Sequence, residues 1–195
     1  MRLNFKYIFL ILLSFVWLED SIFKTYDVHN SSNKTFYNKV GDSRVNLINS
    51  DINVTKLKFE LNGYSFEEVE NDFYKVNIDK GSPILIKGSP NLPKLNTSII
   101  IPDNKQMSIY IRDSKYIEID DINIIPSKGN FSRDIDPSTV PYEFSEVYEQ
   151  DSFYPQKIAQ LGEPYILRGL RGQGIIVNPI QYNPVSKTLR IYTSI

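Results

Sequence analysis

The sequence predicts an all-β protein, an antiparallel β-sandwich with short turns and at most one short helix. Three observations predict it. Apolar and polar residues alternate with a period of two in several segments, which puts one set on a buried face and the other on a wet face. Further segments are short β-branched runs of strand length. Turn-forming residues separate these segments at the close spacing of a sandwich or barrel.

The elements follow in chain order. Residues 1–20 read as a signal peptide: Arg2 and Lys6 precede an apolar run from Tyr7 to Leu18, and Glu19 and Asp20 close it. That run is short of the roughly 20 apolar residues a bilayer span requires, so cleavage is favoured over a retained anchor, and no stable membrane span is expected afterwards. Residues 21–43 form a polar leader rich in Asn and Ser that contains the chain's one histidine, His29. Asn-x-Ser/Thr triplets at Asn30, Asn33, Asn53, Asn96 and Asn130 are what chance supplies in a chain this rich in Asn.

Residues 44–195 read as one sandwich domain. Leu57, Phe59 and Leu61 alternate with Lys58 and Glu60; Met107, Ile109 and Ile111 alternate with Ser108, Tyr110 and Arg112; Leu189 and Ile191 alternate with Arg190 and Tyr192. The β-branched runs are 99–101, 122–125 and 175–177. Between them stand turn signals such as Asn62-Gly63, Gly81-Ser82-Pro83, Gly88-Ser89-Pro90, Pro102-Asp103-Asn104 and Asn183-Pro184. The best helix candidate is Pro155–Leu161, which opens on Pro and is followed by Gly162. The chain stops at Ile195 straight after a strand-like run, an ending expected of the front of a longer polypeptide.

Composition removes most enzyme classes. Of 195 residues, 22 are Lys or Arg and 23 are Asp or Glu, a net charge of −1 without the surplus of cations that duplex nucleic acid requires. With no cysteine and one histidine, there is no thiol nucleophile, no disulfide framework and no multi-histidine metal site. No catalytic residue, metal or cofactor is expected of this chain, and no nucleic-acid partner.

Two segments escape the strand logic. Pro126–Pro141 is a long exposed loop with Gly129 and Pro137 inside it, and loops of this length in compact domains tend to be functional or disordered. Near its middle stands Arg133 between Ser132 and Asp134, with Asp136 two residues on. An arginine on an ordered loop suits insertion into an acidic pocket, where its planar fork meets a carboxylate bidentately. The competing reading is a solvated surface arginine paired with Asp134 or Asp136. The second segment, 153–195, is dense in Gly, Pro and aromatics. Its Arg168, Arg171 and Arg190 are candidates for a basic patch, and Arg171-Gly172-Gln173 for a tight turn. Its aromatics either stack on sugar rings or fill the core, and core filling is the more common use.

Several ordered motifs in the second half carry a resemblance. They are GSPNLP at 88–93, IPSKG at 125–129, SR at 132–133, VPY at 140–142, FYP at 153–155, PYILR at 164–168, RGQ at 171–173 and QYNPVSKTLRIYT at 181–193. From about Gly88 to Ile195 the chain resembles the N-terminal propeptide of gingipain-type (family C25-like) cysteine peptidases, secreted arginine- or lysine-specific enzymes with a caspase-like catalytic domain. The resemblance implies an antiparallel β-sandwich that precedes the catalytic domain, assists its folding and keeps it inactive. It also implies that a basic loop residue, here Arg133, enters the S1 pocket in the manner of a substrate, with Ser132, Asp134 and Asp136 completing the inhibitory loop. Arginine at that place implies an arginine-specific partner: a catalytic domain in cis, downstream. The implied location is secreted or cell-surface, via the periplasm, by the export route of Bacteroidetes. Two alternatives stand beside this reading: a sandwich module that binds a glycan or surface partner, and the front of a sortase-type member of the same peptidase clan.

Overall fold

Residues 41–195 are described by the structure, a computed structural model, and all lie in one compact unit of the chain. The expected signal peptide, the expected leader up to residue 40 and His29 lie outside the described residues. The expected sandwich is what forms: the described residues hold twelve strands in three sheets, paired antiparallel with one parallel exception.

Alternation does its work first in a hairpin. β1 (Ser43–Ser50) and β2 (Thr55–Leu61) pair antiparallel from Ser43 opposite Leu61 to Ser50 opposite Thr55. Asp51 closes the turn by accepting the N–H groups of Asn53 at 2.7 Å and Val54 at 2.8 Å. On β2 the apolar residues Phe59 and Leu61 turn inward and are buried, while Lys58 stays exposed.

β12 (Thr188–Ser194) is the centre of the same five-stranded sheet. One of its edges carries β7 (Lys115–Ile119). The other carries β11 (Ile180–Asn183) and then, at Ser194, the end of β2. Here the period of two misleads: Leu189 and Ile191 are buried as expected, but so is Tyr192, because the strand is covered on both faces.

The second sheet runs β5 (Ser82–Pro83), β6 (Pro93–Ile100), β10 (Leu170–Val177), β9 (Ala159–Leu167). The third holds β3 (Ser65–Glu70), β4 (Phe73–Asn77) and the short β8 (Asn123–Ile124), which lies parallel to β4. Buried side chains come from every sheet, including Leu61, Leu95, Ile124, Val177 and Ile191. Each such side chain contributes about 1.5–3 kcal/mol on leaving water. The five- and three-stranded sheets are tied by two bonds around Ile122: its N–H donates to the Lys187 carbonyl at 3.1 Å, and its carbonyl accepts the Tyr182 hydroxyl at 2.9 Å.

Three expectations are corrected. Pro155–Leu161 forms no helix. Ala159 and Gln160 already pair with Val177 and Ile176, and Asn178 donates its N–H to the Ile158 carbonyl at 2.7 Å. A seven-residue helix is marginal by itself, and the edge of β10 offers its backbone better partners. The helical turns that do form are 3-10 turns at Pro137–Thr139 and Glu146–Glu149. Met107–Arg112 alternates like a strand but pairs with nothing among the described residues, and Tyr110 is 82% exposed. Alternation assigns faces, yet a strand also requires a free edge to bond to. Finally, Arg171-Gly172-Gln173 is no turn but part of β10, where Gly172 lies so close under the ring of Tyr165 that a Cβ would come within 2.6 Å of it.

Candidate functional site

The loop that carries Arg133 leaves the core directly from β8. Ile125 donates its N–H to the Tyr74 carbonyl at 2.9 Å and accepts that of Asn91 at 2.9 Å, and Pro126 bridges to Pro90. Ser127 is buried; it donates its N–H to the Ser89 carbonyl at 2.7 Å and accepts that of Gly88 at 2.9 Å. Its hydroxyl oxygen accepts the Gly129 N–H at 3.2 Å. The far end returns to the same platform. Ser145 donates both its N–H, at 3.0 Å, and its hydroxyl, at 2.9 Å, to the Gly88 carbonyl, and Glu143 pairs with Lys87 at 2.7 Å. Behind it, the Tyr148 hydroxyl donates to the Ile124 carbonyl at 2.7 Å, and burial pushes its pKa well above the usual phenolic range. Both feet of the loop therefore stand on residues 87–91.

Between the feet the loop is braced from within. Lys128 sends its Nζ to the Pro137 carbonyl at 2.8 Å, with the same ammonium 4.3 Å from the centre of the Tyr142 ring. Asp136 caps the 3-10 turn that follows it, accepting the Ser138 N–H at 2.9 Å, while its carbonyl accepts the Thr139 hydroxyl at 2.8 Å. These contacts, led by the Ser138 backbone N–H, hold the Asp136 carboxyl below its usual range.

Arg133 stands at the apex. Ile135 donates its N–H to the Ser132 carbonyl at 3.2 Å, which makes Arg133 and Asp134 the two central residues of a β-turn. The nearby Ser132 hydroxyl, and after it the N–H of Asp134 itself, hold the Asp134 carboxyl below its usual range. Among the described residues no acid forms an ion pair with Arg133: neither of the two neighbours that sequence reasoning offered, Asp134 and Asp136, is salt-bridged to it, and Asp136 accepts the Ser138 N–H instead. Ser132, Arg133, Asp134 and Asp136 are all exposed, so the four residues singled out in the sequence form one protruding surface. What sequence reasoning missed is the platform. Its signals were present as Gly88 and Gly129, both of which adopt positive φ, +80° and +83°.

The other candidates dissolve into structure. Arg171 bonds through Nη1 to the carbonyls of Pro102, Asp103 and Lys105 at 3.0, 2.8 and 2.8 Å. Arg190 is held by Glu118 at 2.7 Å and lies over the ring of Phe153 at 3.8 Å. Arg168 sits in the β9–β10 turn with a φ of +50°. The three arginines have separate duties and make no basic patch. Tyr182 and Tyr192 are buried, so the core-filling reading of the aromatics holds for both. A hollow of about 380 Å³ lined by Phe153, Tyr154, Gln156 and Gln160 includes Asn178, whose amide is already bonded to the Lys157 carbonyl at 2.7 Å.

Comparisons with known proteins show the family to which the chain belongs. The sequence model of the C25 propeptide family (Propeptide_C25) matches residues 35–195, so the likeness reaches well upstream of Gly88, where the motifs placed its start. Gingipain R1 of Porphyromonas gingivalis is 41% identical over 145 residues, 73% of this chain and 15% of the relative. Gingipain R2 of the same organism is 38% identical over 155 residues, 78% of this chain and 21% of the relative. The chain thus spans about a fifth or less of the relatives it matches. Among solved structures, the complex of P. gingivalis RgpB pro- and mature domains superposes with a TM-score of 0.74 at 38% identity, covering 77% of this chain and 80% of that one. A structure describing zymogenic latency of gingipain K from the same organism shares the fold, with a TM-score of 0.65 at 21% identity over 77% of this chain and 88% of that one. The chain belongs to the C25 propeptide family: it is a gingipain-type propeptide and not a catalytic domain.

Proposed function

We propose that this chain is the inhibitory and folding-assisting propeptide of a secreted, arginine-specific, gingipain-like cysteine endopeptidase, and that Arg133 occupies the S1 pocket of the catalytic domain that follows in cis. The observation that carries the reading is the state of Arg133: an unpaired guanidinium at the tip of a loop anchored at both feet and braced inside. A loop ordered before binding loses little conformational freedom on docking, and a guanidinium without a partner of its own has no local ion pair to break. The solved complex of pro- and mature domains supports a catalytic domain as the partner. Residues 1–20 are then the export signal, 21–43 the leader and 44–195 the inhibitory sandwich.

The test is inhibition of an arginine-specific gingipain catalytic domain by the full chain and its variants. Removing one partner of a desolvated, hydrogen-bonded charge pair costs affinity by roughly 30-fold to several thousand-fold. Arg133→Ala is expected to lose that much. Arg133→Lys falls between, since an ammonium does not reproduce the bidentate fork. Arg112→Ala, which alters an exposed arginine far along the chain, retains wild-type inhibition. Equal inhibition by all four proteins would overturn the reading.

A further inference from the structure

Residues 106–114 are strung between two anchors with no bonds along the way. On the near side, Lys105 reaches the Asn53 side-chain oxygen at 2.7 Å, and Arg171 holds the carbonyls of Pro102, Asp103 and Lys105. On the far side, Lys115 enters β7 opposite Ser194, and its carbonyl accepts the Thr193 hydroxyl at 3.2 Å. Between the anchors the backbone makes no helix, turn or bend, and no hydrogen bond to another described residue. Residues 108–113 are all exposed, and Arg112 and Asp113 have no hydrogen bond or ion pair among the described residues. A peptidase cleft takes its substrate as an extended chain whose main-chain groups are free to bond across to the enzyme. Exposed, unbonded segments are accordingly where nicking concentrates. The other arginines of the described residues do not meet that requirement. Arg44 is paired opposite Glu60 in β1, and Arg171 and Arg190 lie inside β10 and β12. Arg168 sits in the β9–β10 turn at a φ of +50°, and Arg133 is a central residue of a β-turn.

We propose that the bond between Arg112 and Asp113 is a processing site of this propeptide, cut in trans by an arginine-specific cysteine peptidase, and that this cut brings inhibition to an end. The inference rests on the reading of the partner as arginine-specific, and not on the place of Arg133. The position of the bond gives the cut its consequence. It falls between the platform at 87–91 and the loop that stands on it. Piece 1–112 keeps β1 to β6 with the platform, and piece 113–195 takes β7 to β12 with the Arg133 loop. The bonds of Ser127 to Gly88 and Ser89, of Asn91 to Ile125 and of Ser145 to Gly88 then join two chains instead of one. Each sheet mixes strands of both pieces, so the pieces stay associated at first. Their association nevertheless becomes dependent on concentration, because the high effective concentration of a linked chain is gone. In the reaction, the peptidase's cysteine thiolate attacks the Arg112 carbonyl carbon, and the bond to the Asp113 nitrogen breaks as that nitrogen takes up a proton and leaves. Water then cleaves the thioester, which frees the Arg112 carboxylate and returns the thiol, for a net addition of one water.

The experiment incubates the full chain with a substoichiometric amount of an arginine-specific gingipain catalytic domain and follows intact mass and inhibition over time. The first products expected are 1–112 and 113–195, with masses that sum to the intact chain plus one water. The cut after Arg112 is expected roughly a hundredfold faster than one after Arg44, because several ladder bonds of β1 must open there and each is worth roughly two- to tenfold in population. Arg112→Lys keeps the cation in place and removes the arginine. Both it and Arg112→Ala are expected to inhibit at the outset as the wild type does, and to hold that inhibition on the order of tenfold longer. Inhibition lost at one rate by all three, or a first cut elsewhere while the bond after Arg112 stays whole, would overturn the proposal. So would nicking after Arg112 by trypsin but not by the gingipain domain, since docking would then cover the segment. Arg133→Ala keeps the two readings apart. It is expected to be cut after Arg112 at least as fast as the wild type; if it also inhibits as the wild type does, the S1 reading fails and the processing site stands.

Discussion

Gly129 and Lys87 approach so closely that neither has room to spare: a Cβ built on Gly129 would lie 2.9 Å from the Cβ of Lys87, and Gly129 holds a φ of +83°. This contact is where the Arg133 loop leaves its platform, and it requires the absence of a side chain for two independent reasons. Gly129→Ala is expected to lower stability by about 1–3 kcal/mol, the usual range for an L-residue forced into a left-handed backbone with a close contact. The measurable signature is a joint one: an earlier urea midpoint, and weaker inhibition at concentrations where the variant is still folded. Full inhibition by a folded Gly129→Ala chain would mean that the platform does not set the loop's position.

Tyr182 serves the core and not the loop. Its hydroxyl donates to the Ile122 carbonyl at 2.9 Å in a buried setting, and burial pushes its pKa up to about 12. Tyr182→Phe keeps the ring and leaves that carbonyl without its donor, which is expected to cost about 1–2 kcal/mol. Urea unfolding measures the loss. Inhibition by the folded variant is expected to match the wild type.

Arg171 is expected to act as a clamp on a segment that has no strand partner. Its Nη1 reaches three carbonyls, of Pro102, Asp103 and Lys105, just before the exposed residues 108–112. Arg171→Ala removes the clamp, and local opening of the segment becomes easier. Limited trypsin digestion followed by mass spectrometry is expected to show faster nicking after Lys105 or Arg112, with cleavage elsewhere unchanged.

Acid should weaken one surface cluster in a defined window. The carboxyl of Asp42 is lowered from 3.8 to about 2, first by its hydrogen bond with Lys80, at 2.9 Å, and then by that with Arg44. Because the folded value lies below the unfolded one, the stabilisation is fully present above pH 3.8 and fades as the pH falls towards 2. The group is exposed, so the effect is small. Urea midpoints measured across that range are expected to fall less steeply for Asp42→Asn than for the wild type.

Much of this molecule was legible without coordinates. The alternation at Leu57–Leu61 and at Leu189 and Ile191 marked real strands, and the turn residues between them marked an all-β chain. The reason is local: side chains of an extended backbone point to opposite faces, so a half-buried strand must write its period into the sequence. The exposed loop from Pro126 to Pro141 was legible for the converse reason, since it lacks a buried face to encode. The ordered motifs from Gly88 to Ile195 identified the family before any fold was seen. What the sequence did not contain was the choice of partners. Met107–Arg112 has a strand's pattern and finds no edge among the described residues, while Pro155–Leu161 has a helix's flanks and pairs its last three residues with β10, because hydrogen bonding between strands depends on residues distant in the chain. The state of Arg133 was decided in the same way. Sequence placed it beside two aspartates, and only the folded loop turns Asp136 to Ser138, leaves Asp134 without an ion pair to it, stands the loop on residues 87–91 and leaves the guanidinium free at its tip.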